Sequence, residues 1–177
     1  MEQLKVDFDK VIESLKLSEE SINSRKKNFN QFVESGFPNK RVEDWKFSDL
    51  NQIISSNIEN LRFHTDFEIS EIDETTFIDK FAHNKIIFLN GVISKVDFSF
   101  EDDTKVLITR DLNQNKNSKE VNPLVSLNNA LIASYIGVTV KENYSLNKPL
   151  IIYNITTKEL KSTAINLKTD IVLEKNS

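Results

Sequence analysis

The sequence predicts an α+β protein, a helical N-terminal region followed by short strands. Three observations predict it: apolar stripes at helical spacing over residues 1–60, strict alternation beginning at Leu61, and brief β-prone runs after Gly137. These shifts divide the chain into a helical region over 1–60, a mixed strand and helix segment over 61–136, and a β tail over 137–177.

Leu4, Phe8, Val11, Ile12 and Leu15 share one face of a first helix over 1–16. Ser18 is placed to cap a second, with Glu19 and Glu20 at the positive end of its dipole and Leu17 set to staple onto Ile22. Ile22, Phe29, Phe32 and Val33 form its expected buried face. The rest of the chain is organised around residues 32–50, where the punctuation is clearest. Gly36 can take the left-handed conformation that closes a helix, Phe37 then falls back on Phe32, and Pro38 forbids the helix from resuming. Trp45 and Phe47 alternate with Asp44, Lys46 and Ser48, which predicts an extended or tightly turned segment pressing both aromatic faces onto the core. Ser48 is the expected cap of a third helix through Leu50, Ile53 and Ile54.

Leu61, Phe63, Thr65, Phe67 and Ile69 alternate with Arg62, His64, Asp66 and Glu68, a strand with one wet face. A weakly helical stretch through Phe77, Ile78 and Phe81 precedes an apolar strand over 86–89. Asn90-Gly91 then reads as the tight turn of a hairpin, because both central residues of that turn need positive φ, and Val92, Val96, Phe98 and Phe100 continue its far arm. A brief strand over 106–108 leads to a polar loop over 113–120. Asn122-Pro123 starts a helix whose stripe of Leu124, Leu127, Leu131 and Tyr135 is expected to run to Gly137. Runs over 138–140, 150–153 and 165–173 complete the chain as short strands, spaced to suit a sandwich or the turns of a β-solenoid. The last run carries an apolar face that needs a neighbour. It closes onto an earlier sheet, or the sequence is the front piece of a longer protein, or another chain supplies the missing strand.

Composition removes several function classes. With 23 basic and 27 acidic residues and a net charge of −4, nothing attracts phosphate backbones or anionic lipid, so neither nucleic acid nor membrane is an expected partner. The chain has no cysteine, which rules out disulfides, zinc–thiolate sites, a thiol nucleophile and thiolate ligation of a cluster by this chain alone. Its three glycines lie too far apart for a phosphate loop. The first residues lack an apolar run of signal length, and no stretch approaches the ~20 apolar residues of a membrane span, so a cytoplasmic protein is expected. Glu43 and Asp44 beside Lys46 are explained by an exposed turn. His64 and His83 lack carboxylate or histidine partners at metal-ligand spacing and read as solvated. Glu101-Asp102-Asp103 lacks the spaced ligands and glycine of a calcium loop and reads as a solvated turn, while Trp45 reads as a core anchor. No catalytic, cofactor-binding or metal residue is assigned.

Three segments together resemble the SufD family of iron–sulfur cluster assembly scaffolds. Gly36-Phe-Pro followed by Glu43-Asp-Trp-Lys-Phe-Ser-Asp-Leu50 is similar to the family's signature of glycine, proline and Glu-x-Trp, with Phe47-Ser48 in place of the commoner Tyr-Thr. Ile86-Ile-Phe-Leu-Asn-Gly91 is similar to the strand and turn that follow the helical head. Asn122-Pro-Leu-Val-Ser-Leu-Asn-Asn-Ala130, Gly137-Val-Thr-Val140 and Pro149-Leu-Ile-Ile152 are similar to the helix and first strands of the β body. The resemblance implies a right-handed parallel β-helix, present here as its first strands only. It further implies a non-catalytic subunit that pairs with its paralogue SufB and recruits the ATPase SufC. The iron–sulfur cluster would be assembled by the complex, with a partner supplying the thiolates, and no family site residue carries over. The alternatives are a β-helix enzyme acting on polysaccharide and a binding module unrelated to iron.

Overall fold

The structure is a computed structural model that describes residues 2–58, 60–63, 77–114 and 122–177. The described elements are four α-helices and six strands, the strands forming two three-stranded sheets of orders β2-β1-β5 and β3-β4-β6. They fall into two compact units: Met1–Thr65 with Leu112–Ala133 and Leu160–Asn166, and Asp66–Asp111 with Ser134–Glu159 and Leu167–Ser177.

The first unit is helical. Helix α1 (Glu2–Ser14) buries Leu4, Phe8 and Val11 from its expected stripe, and α2 (Glu19–Ser35) starts at Ser18, whose hydroxyl accepts from Ser21 N. Gly36 ends α2 with φ of 68° and donates its N–H to Phe32 O, and the Phe37 ring meets Phe32 edge-on at 5.0 Å. Phe8 stacks on Phe29 at 4.2 Å. The buried face of α2 is rotated from the expected one: Arg25, Asn28, Phe29 and Phe32 are covered, whereas Val33 is 44% exposed. Helix α4 (Pro123–Leu131) is capped by Asn122, whose Oδ1 accepts from Leu124 N, and sends Leu127, Ala130 and Leu131 into the same core.

Asp7 also lies inside this unit. Its Oδ1 accepts from Gln3 Nε2 at 2.7 Å and its Oδ2 from Phe63 N at 2.8 Å, so it fixes the segment after α3 to α1. Arg25 donates Nη1 to Ala130 O at 3.1 Å, in the last turn of α4, where unpaired carbonyls carry partial negative charge. Burial lowers its pKa to about 10, and its Nη2 is buried without a hydrogen-bond partner.

The segment around Trp45 departs from expectation. Glu43–Trp45 is a 3-10 turn, with about three residues per turn, so Trp45 and Phe47 two positions apart cannot share a face. Trp45 is half-buried, and Phe47 is 90% exposed with the Lys46 ammonium 5.3 Å from its ring centre. Ser48 N donates to Trp45 O and so still belongs to the turn. Asp49 is therefore the cap of α3 (Leu50–Asn57), accepting from Gln52 N at 2.9 Å. Helix α3 buries none of its residues.

The second unit packs the two sheets over Ile86, Phe88, Val106, Ile136 and Val138. Strands β1 (Asn84–Leu89) and β2 (Val92–Asp97) form the expected hairpin, with positive φ at Asn90 (50°) and Gly91 (85°). Strand β5 (Leu150–Ile155) runs parallel to β1, and β3 (Val106–Thr109) antiparallel to β4 (Ser134–Val140), which β6 (Leu167–Leu173) joins in parallel. The helix expected to reach Gly137 stops at Leu131. Tyr135 is a strand residue, because Ile132, Tyr135, Ile136 and Val138 form a β-branched and aromatic run. Residues 77–83 form no helix, and most of the strand expected from Leu61 to Ile69 lies outside the described residues.

The right-handed parallel β-helix is not formed among the described residues. A β-helix stacks parallel rungs, whereas each sheet here joins one antiparallel pair to one parallel pair. The short Asn90-Gly91 turn dictates the first antiparallel pair, since a two-residue connection cannot carry the chain over to a parallel neighbour. The fold is a mixed α+β arrangement of helices and two small sheets.

Candidate functional site

A conspicuous apolar feature among the described residues is the exposed end of β6. Leu167 packs on the core of the second unit, but Ile171 and Leu173, on the same face of the strand, are 49% and 64% exposed. Val172 on the opposite face is 50% exposed. This end is not a fraying tail. Glu174 donates its N–H to Val140 O, its Oε1 accepts from Lys141 Nζ at 2.9 Å, and its Oε2 accepts from Glu142 N at 3.1 Å. These bonds hold the Glu174 carboxyl below its ordinary range, the Lys141 hydrogen bond being the larger cause. The result is an ordered strand whose last three residues carry exposed apolar side chains.

The polar residues singled out in the sequence serve as clamps. Glu43 and Lys46 form an exposed ion pair at 2.7 Å. His64 lies outside the described residues. His83 is buried, not solvated: Nδ1 donates to Phe81 O at 2.9 Å, which leaves Nε2 to accept from the Tyr153 hydroxyl at 2.8 Å. The Tyr153 oxygen in turn accepts from Ile78 N at 3.2 Å, so the pair holds residues 78–83 against β5.

Glu101 is likewise no solvated turn residue. Its carboxyl oxygens accept from Asn84 Nδ2 at 2.7 Å, Tyr144 Oη at 2.9 Å, Asn147 N at 3.0 Å and Lys148 N at 3.1 Å. Burial pushes its pKa up, but those four donors outweigh burial and hold it below the usual 4.5. Asp102 accepts from the N–H and hydroxyl of Thr104 within its own turn. A carboxyl whose pKa is depressed on folding contributes stability above its unfolded pKa, and that contribution disappears as pH falls through the folded value. Stability measured by urea unfolding is therefore expected to fall off below about pH 4.5. Glu101→Gln should flatten that decline, and an unchanged slope would contradict the network.

Sequence reasoning missed Asp7, Arg25 and Glu101 as structural hubs. Asp7 and Arg25 did carry a signal, since each falls on the helical face that the apolar stripe defines. Among the described residues no group of three or more His, Cys, Asp or Glu side chains is placed to hold a metal ion. No described helix is long and apolar enough to cross a membrane. No protein-family model matches the chain, and no curated protein matches it.

Proposed function

We propose that the chain is a non-catalytic scaffold subunit of SUF-type iron–sulfur cluster assembly in the cytoplasm, working with a SufB paralogue and the SufC ATPase. The observation that carries the reading is the exposed apolar end of β6, whose Ile171, Val172 and Leu173 are about half exposed or more. A surface of that kind is stabilised by burial against another chain. The SufD-like segments lend support: the Gly36 stop, the Asn90-Gly91 turn and the Asn122-Pro123 helix start each take the local form their residues dictate.

The β-helix that the resemblance implied is set aside, and the polysaccharide-active alternative, which needed that scaffold, goes with it. In this reading the cluster is cargo of the assembly. The chain has no cysteine, so any thiolates that hold the cluster come from a partner.

Co-expression with SufB and SufC tests the proposal. The expected result is co-elution of all three chains in size-exclusion chromatography and a change in SufC ATPase rate when this chain is present. Elution of this chain alone, while SufB and SufC still bind one another, would overturn it.

A further inference from the structure

Of the chain's three glycines only Gly91 follows an asparagine. Without a Cβ, a glycine amide is the least hindered backbone nitrogen that a preceding side chain meets. In asparagine-glycine pairs that nitrogen attacks the side-chain carbonyl carbon. Here Gly91 N would bond to Cγ of Asn90 and close a cyclic imide, and the Cγ–Nδ2 bond would break. Ammonia leaves, carrying the former Gly91 amide proton. Water then opens the imide at one carbonyl or the other, giving aspartate or isoaspartate, and both residues are half-buried, so solvent reaches them.

The fold engages both ends of the reacting amide. Asn90 Nδ2 donates to Thr157 Oγ1 at 3.1 Å, and Asn90 Oδ1 accepts from Thr157 N at 2.9 Å. The backbone of Asn90 is tied to the same segment, donating its N–H to Ile155 O at 2.8 Å. The parallel pairing of β1 with β5 ends at Leu89 opposite Ile155, so these three bonds carry the ladder past its last residue pair. The turn itself is fixed by positive φ at Asn90 and Gly91. Attack requires the nitrogen over the face of the carboxamide carbon, and a side chain bonded through both its oxygen and its nitrogen cannot rotate to offer that face without leaving Thr157.

We infer that Asn90 is a deamidation site latched by Thr157, reacting only from the locally opened form in which its side chain has left Thr157. The products do not relatch as before. Aspartate keeps an oxygen for Thr157 N but loses the donor to Thr157 Oγ1, and it adds a negative charge to the turn. Isoaspartate lengthens the backbone of a two-residue turn that sets Leu89 opposite Val92. The modification therefore converts a transient release of the β5 end into a lasting one. The inference rests on the turn and its contacts and does not depend on which assembly the chain serves.

Incubation of the intact chain at mildly alkaline pH, followed by proteolysis and mass spectrometry that separates aspartyl from isoaspartyl peptides, tests it. Asn90 should deamidate about tenfold or more slowly in the folded chain than in unfolding urea. Thr157→Val removes the acceptor of Nδ2 while keeping the side-chain shape. It should react about threefold to tenfold faster than the wild type with unchanged circular dichroism, and Thr157→Ser, which keeps the hydroxyl, should stay near the wild-type rate. Equal rates in the folded and unfolded chain, a valine variant no faster than wild type, or a serine variant as fast as valine would each overturn the latch. Should Thr157→Val fail to fold, the wild type decides: in low urea that leaves it folded the rate should stay flat, as release of so small a segment requires. A rate that climbs as steeply with urea as global unfolding does would overturn the inference.

Discussion

Phe32→Ala is expected to destabilise the helical unit by about 3–5 kcal/mol in urea unfolding. The side chain is fully buried, shares a core with Leu4, Phe8, Val11 and Phe29, and receives Phe37 edge-on at 5.0 Å. Truncation would remove that surface and leave a cavity that neighbours on rigid helices cannot fill. Phe32→Leu keeps most of the volume but loses the ring contact, and about 1–2 kcal/mol is expected for it. A loss below about 1 kcal/mol for the alanine variant would contradict the packing.

Asp7→Ala is the second large effect, at about 2–3 kcal/mol. The cost is of a different kind, because little apolar surface changes. Removing the carboxyl group leaves the buried N–H of Phe63 without the acceptor it now has at 2.8 Å, and also frees Gln3. An unpaired buried donor is more expensive than the net value of the bond it loses. Asp7→Asn retains an acceptor oxygen and should recover a large part of the loss. If asparagine were as damaging as alanine in the same unfolding experiment, the role assigned to the Phe63 contact would be wrong.

The sequence made the local stops and starts readable. Ser18, Gly36, Asn90-Gly91 and Asn122-Pro123 act within a few residues of themselves, through caps and positive-φ conformations that do not depend on the remainder of the chain. What required the whole molecule was less legible. Alternating Trp45 and Phe47 fits a strand and also a 3-10 turn, and only the second leaves Phe47 exposed. Parallel pairing of β1 with β5 and of β4 with β6 is set by distant segments, and no local pattern separates it from stacked rungs. The clamps at His83 and Glu101 were hidden for the same reason, since Tyr153, Tyr144 and Asn147 are brought to them only by the fold. The exposed end of β6 was partly legible: the apolar run over 165–173 needed a neighbour, though the pattern did not say which of its side chains would be covered.

The alternation of the chain between its two units bears on how the protein is made. The helical unit draws on residues 160–166 and the sheet unit on residues 167–177, so neither has all its segments until those residues have been made. Vectorial folding on the ribosome, one unit ahead of the other, is closed to it. The nascent chain must hold α1, α2 and the β1–β2 hairpin unconsolidated while awaiting their late partners, an interval in which chaperones have most to protect.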